Sequence, residues 1–165
     1  MKKLLALILA VALMATMSVT AFATDNTVNY NGSETPQTSG LNVTYNVTPT
    51  FSVTIPANVA LGNSVTVSAA DVVVKYGEAV NVKLSGTSET DNSFMLRTDQ
   101  GAELSYTVKK GEAVVNVGDT ILSVVPGSEE TSAELTFVEP ASYTYAGLYK
   151  GTVTFTIAVE ATGNN

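Results

Sequence analysis

Apolar and polar residues alternate with a period of two along most of this 165-residue chain. In LNVTYNVT, residues 41–48, Leu41, Val43, Tyr45 and Val47 fall on one side and Asn42, Thr44, Asn46 and Thr48 on the other. That is the period of a half-buried β-strand. Pro49 interrupts the run, because it has no N–H to give to a ladder. Alternation resumes with Phe51, Val53 and Ile55 and stops again at Pro56. An extended track bent at a proline can pass from one sheet to the other, as sandwich strands do.

The pattern continues to the end of the chain. Val65 and Val67 mark a strand, and a Val-rich stretch over 71–76 closes at Gly77. Val80, Val82 and Leu84 alternate with Asn81, Lys83 and Ser85, and Gly86 opens a polar loop to Ser93. Short strands are predicted over 94–98, 104–109, 114–117, 121–125 and 135–137, with KKGE, GDT and PGS as turns between several of them. The last run sets Val153, Phe155, Ile157 and Val159 against Thr152, Thr154 and Thr156. Only VSAADVVVK is ambiguous with helix. Roughly nine or ten short strands with turn chemistry between them predict an all-β, antiparallel β-sandwich. An Ig-like sandwich over 41–160 is the first expectation, and a jelly roll or partly open barrel the alternative.

The N-terminus reads as a secretory signal peptide helix over 1–23. Lys2 and Lys3 precede an apolar run over 4–17, and Ala21-Phe22-Ala23 forms a small-x-small cleavage site. The run is shorter than the ~20 apolar residues that a membrane span needs. A polar arm or first strand follows over 24–40, and 161–165 reads as a tail. With no cysteine, sorting motif or apolar C-terminal segment in view, the product is expected to be secreted, held at a surface by non-covalent contacts if at all.

Composition narrows the chemistry. Loss of Lys2 and Lys3 takes the net charge from −7 to −9. Such a chain has no basic face for nucleic acid or, once cleaved, for a membrane. Apolar residues make up 45% and charged ones 14%, which excludes disorder as a description of the whole chain. Cysteine is absent, so the fold rests on its core without disulfides.

Two stretches carry a resemblance. FSVTIPANVALG contains V-T-I-P-A at 53–57, and AGLYKGTVTFTIAVE contains A-G-x-Y-x-G-x-V-T-F-T-I from Ala146 to Ile157. GEAVNVKLSG and FMLRTDQG lie between them. Together these resemble small exported β-sandwich surface proteins of Gram-positive gut bacteria, most of them uncharacterised or assigned to the cell surface. The resemblance implies a fold and a compartment. Multidomain relatives carry wall-binding or sorting segments, which this chain lacks, and without tryptophan it has no W-x-L signature.

Catalysis finds little purchase. Without His and Cys there is no Ser-His or Cys-His nucleophile and no ordinary zinc site. The acids Glu78, Asp99, Glu112, Asp119, Glu129 and Glu130 scatter through turns instead of facing one another as glycosidase carboxylates must. Glu89, Asp91, Asn92 and Asp99 flank one loop and offer hard oxygen ligands for Ca²⁺, without D-x-D-x-D-G spacing. No motif calls for a cofactor. Tyr143, Tyr145 and Tyr149 form the one aromatic patch fit to stack on sugars; the plainer reading is a tyrosine corner, one ring buried with its hydroxyl on backbone. The sequons at Asn31, Asn42 and Asn46 read as ordinary strand and turn residues. Lys75 is a candidate for an isopeptide bond to an Asn that nothing in the sequence marks.

The final strand TVTFTIAV is uncharged and free of proline: either it lies inside a sheet as the closing strand of a monomeric sandwich, or its free edge is a pairing site. The sequence therefore leads to a secreted, non-enzymatic structural or adhesive protein that is able to self-associate. The alternative is a carbohydrate-binding module. Expected partners are other surface proteins, cell-wall or host glycans, or copies of the chain, with residues 24–40 as a strand donor.

Overall fold

Where alternation is unbroken and a neighbour is available, the chain forms strand. The computed structural model describes residues 9–12, 41 and 43–163. Its strands are β1 (Leu9–Ala12), β2 (Thr50–Ile55), β3 (Ser64–Val73), β4 (Glu78–Thr87), β5 (Met95–Arg97) and β6 (Glu103–Ser105). They continue with β7 (Thr107–Lys110), β8 (Ala113–Val115), β9 (Thr120–Val124), β10 (Ser132–Val138) and β11 (Val153–Ala161). One sheet runs β1-β2-β3-β10-β7-β8, a second runs β11-β4-β9, and β5-β6 form a separate hairpin. Every pairing is antiparallel and no sheet closes into a barrel among the described residues. The architecture is an antiparallel β-sandwich, as the alternation predicts.

The core lies between the two larger sheets. Val80, Val82 and Leu84 of β4 are fully buried, as are Val67 of β3, Val108 of β7 and Leu135 of β10. Ile121, Leu122 and Val124 of β9 complete it. Towards one end, Tyr106 lies between Phe94 and Phe137, its ring centroid 5.6 Å from the first and 6.2 Å from the second.

Several elements differ from the sequence reading. The two runs around Val65 and Val72 are one strand, β3, which takes in the stretch ambiguous with helix as far as Val73. Asp71 takes a φ of 54°, and the pairing slips there, from Ser52 opposite Ala70 to Thr50 opposite Val73. A bulge thus carries the extra residue. The alternating run 104–109 is divided. β6 pairs with β5, β7 pairs with β10, and the intervening Tyr106 N–H donates to the Phe94 carbonyl at 2.9 Å. β11 extends through Ala161, one residue beyond the expected boundary.

The leading residues are the largest departure. The run 41–48 is not a strand: Leu41, Val43 and Tyr45 are about 85% exposed and make no ladder among the described residues. The reason lies in the register. Thr50, the first residue of β2, already pairs with Val73, the last of β3, so the sheet offers nothing beyond that point. Within the expected signal helix, Leu9–Ala12 is strand instead, Leu9 opposite Ile55 and Ala12 opposite Ser52. The other leader residues, the 24–40 arm and residues 164–165 lie outside the described residues.

Because Leu84 is fully enclosed on the central strand of its sheet, Leu84→Ala is expected to lower unfolding free energy in urea by about 2–5 kcal/mol. Tyr76→Ala, at a fully exposed turn, should stay within about 0.5 kcal/mol of the parent.

Candidate functional site

The aromatic patch is built on the segment that leads from β10 into β11. Pro140 ends the ladder of β10, and Gly147 and Gly151 let the backbone approach the β5–β6 hairpin closely. Arg97 and Lys150 bond each other's backbone in both directions at 2.9 Å, which fastens the segment to β5. A Cβ on Gly151 would meet Leu96 Cδ2 at 2.7 Å and the Met95 carbonyl at 3.0 Å.

The three tyrosines divide into two roles. Tyr149 is half-buried and its hydroxyl donates to the Tyr145 carbonyl at 2.8 Å. That is the anchoring role of a tyrosine corner, though in a different part of a sandwich from the familiar one. Tyr143 and Tyr145 remain about two-thirds exposed. They border a cavity of about 230 Å³ with Leu61, Leu104, Pro140 and Tyr149. A second, larger cavity of about 560 Å³ shares Leu61, Leu104 and Tyr149 and is otherwise walled by residues that include Ile55, Tyr106 and Phe155. It sits at the end of the sandwich where β2 finishes and β11 begins. Sequence reasoning missed this apolar end. The signal was present in Val59 and Leu61, apolar residues in a loop after Pro56, where a solvated loop would be polar.

The loop acids do not converge. Glu89 Oε2 accepts from Arg97 Nε at 2.9 Å and lies 2.8 Å from Nη2, while Glu103 holds Nη1 at 2.7 Å. Asp91 Oδ1 accepts from the Ser93 N–H at 3.0 Å, and the Ser93 hydroxyl and N–H beside it hold its carboxyl below the usual range. Asn92 occupies the left-handed region with φ 58°. Asp99 lies 3.7 Å from Lys150 Nζ. No group of three or more acids arranged to hold a metal ion occurs among the described residues. Of the other acids, Asp119 accepts from the Asn116 N–H at 2.7 Å, Glu112 and Glu130 each face a lysine, and Glu78 caps the turn at Lys75. Lys75 itself is exposed on that turn.

A different polar contact fastens the last strand. Lys83 Nζ of β4 reaches Glu160 Oε1 of β11 at 2.6 Å, and Asn81 Nδ2 donates to Oε2 at 2.8 Å. The Lys83 ammonium, and then the Asn81 amide, hold the Glu160 carboxyl below its ordinary pKa. Beyond β11, on the side away from β4, no strand pairs among the described residues.

No family model matches the chain, and neither a curated protein nor a solved structure matches it.

Gly151→Ala tests the seam that shapes both cavities. The Met95 carbonyl belongs to a paired strand and has little room to retreat. The substitution is expected to cost about 1–3 kcal/mol in urea unfolding. A change within about 0.5 kcal/mol would show that the seam yields freely.

Proposed function

We propose that this chain is a secreted, non-enzymatic structural or adhesive protein that works by contact outside the cell and associates with copies of itself. The carrying observation is the row of apolar side chains ahead of β2. Leu41, Val43 and Tyr45 are about 85% exposed, and Val47 is 56% exposed. Exposed apolar side chains grouped in this way mark a surface that meets a partner. The basic, apolar and small-x-small pattern of the leader supports export, and the resemblance to exported surface sandwiches agrees with it. The non-enzymatic reading is supported by acids that are engaged singly in turns and ion pairs, and by a composition without His or Cys.

A second reading has its own support. Tyr143 and Tyr145 stand exposed beside an apolar cavity, on a backbone anchored by Tyr149. Rings presented from a fixed edge suit stacking on sugar faces, with cell-wall or host glycans as the ligands.

The test is solution mass across a wide concentration range, by light scattering after size exclusion. A mass that grows with concentration is expected. A single monomeric mass throughout would overturn self-association. Retention on wall or host glycans that Tyr145→Ala abolishes would then favour the carbohydrate reading.

A further inference from the structure

The reading above leaves open which surfaces meet. We propose that residues 43–48 of one copy, with Leu41 ahead of them, add as a strand to the free edge of β11 in a second copy. This rests on the self-association reading and gives it a donor and an acceptor.

The donor is recognised by what it lacks. Its residues alternate as a strand does, yet every residue from Val43 to Val47 is exposed and only Thr48 is half-buried. An extended segment with β-branched and aromatic side chains on one side gains most from a neighbour that offers backbone groups and an apolar face together.

β11 offers both. It is nine residues long and carries no charge until Glu160. The core-facing residues of its neighbour β4, Val80, Val82 and Leu84, are fully buried. On β11 the equivalent Val153, Phe155 and Ile157 are only half-buried, and Val159 is 38% exposed. The difference is one missing strand. In an antiparallel ladder, alternate residues direct their N–H and C=O to opposite neighbours, so half of the backbone groups of β11 face outward without a partner among the described residues. The other edges are less inviting. β8 is three residues long, β9 is five and β2 is six, its edge lined by Leu9–Ala12 only as long as the leader is attached. That last pairing shows that this sandwich accepts an apolar segment along an edge.

The spacing matches. Four apolar positions of the donor, Leu41, Val43, Tyr45 and Val47, meet four of β11, Val153, Phe155, Ile157 and Val159. Both sets repeat every two residues, so one register aligns them all.

Topology makes the pairing intermolecular. Thr50 pairs with Val73 and Ala161 pairs with Glu78, on either side of the turn over 74–77. The start of β2 and the end of β11 are therefore at the same end of the sandwich. The chain entering β2 comes from beyond that end, and to lie along its own β11 it must reverse at Pro49, whose φ is fixed. Given to a neighbour instead, the segment makes a heterologous contact, which repeats into open-ended chains or closes into a ring.

The chain has no cysteine, which makes cross-linking clean. Two full-length variants, Asn46→Cys on the donor and Thr156→Cys on the outer face of β11, are purified separately, one tagged, and mixed under mild oxidation. A mixed disulfide is expected there, and none with Glu134→Cys on the outer face of β10. In parallel, Val43→Glu with Tyr45→Glu is expected to weaken assembly at least tenfold by light scattering. Both side chains are exposed, so the fold should survive. Assembly in the parent without a mixed disulfide, and unaffected by the glutamates, overturns this inference and leaves self-association standing. A mixed disulfide with Ser52→Cys in place of Thr156→Cys moves the acceptor to β2 and also overturns it. A parent monomeric at every concentration overturns both.

Discussion

The ladder between β4 and β11 is the interaction on which the rest of this sandwich depends. It pairs Val153 with Thr87 at one end and Ala161 with Glu78 at the other. Among the described residues β4 is the only strand of its sheet with a neighbour on both sides, and it carries Val80, Val82 and Leu84 into the centre of the core. With no disulfide available, burial of the apolar core around that row must supply most of the stability. Glu160, bound to Lys83 and Asn81, secures the far end of the ladder, and Gly151 with the Arg97–Lys150 bridge secures the near end. The same ladder leaves the outer edge of β11 without a partner among the described residues. Stability and the proposed association would thus meet on one strand, whose inner side is completed by β4 and whose outer side has no neighbour among the described residues.

Much of this was legible in the sequence, and for a definite reason. β2, β4, β10 and β11 have one face in the core, and a two-residue period reports that directly. The end of β2 at Pro56 and the departure after β10 at Pro140 follow from the missing N–H. The tyrosine-corner reading was legible as well, since a tyrosine near a closing strand has few ways to satisfy its hydroxyl.

What could not be read depends on neighbours that a local pattern does not contain. Residues 41–48 alternate as well as any strand, but alternation reports that a segment suits a ladder, not that a ladder is present. Only the register of Thr50 with Val73 shows that the sheet has ended. The run 104–109 has one period and two partners, divided at Tyr106 because its N–H turns to Phe94. Asp71 hides a bulge inside what looks like two strands. The loop acids have the residue types of a cation site, and only the fold brings Arg97 to Glu89 and Glu103. The cavity beside the tyrosines is assembled from the loop after β2, the β5–β6 hairpin and the lead into β11, far apart in the chain.

The central claim is that β11 is an edge awaiting a strand that the chain itself carries. The most direct test is residue-resolved hydrogen exchange along β11 and β4 at low and high protein concentration. Alternating protection along β11 is expected when dilute, against continuous protection along β4, because only alternate β11 amides have a partner among the described residues. At high concentration the unprotected β11 amides should slow, together with those of residues 43–48. Continuous protection of β11 at every dilution would contradict it, since the strand would then already have its second neighbour.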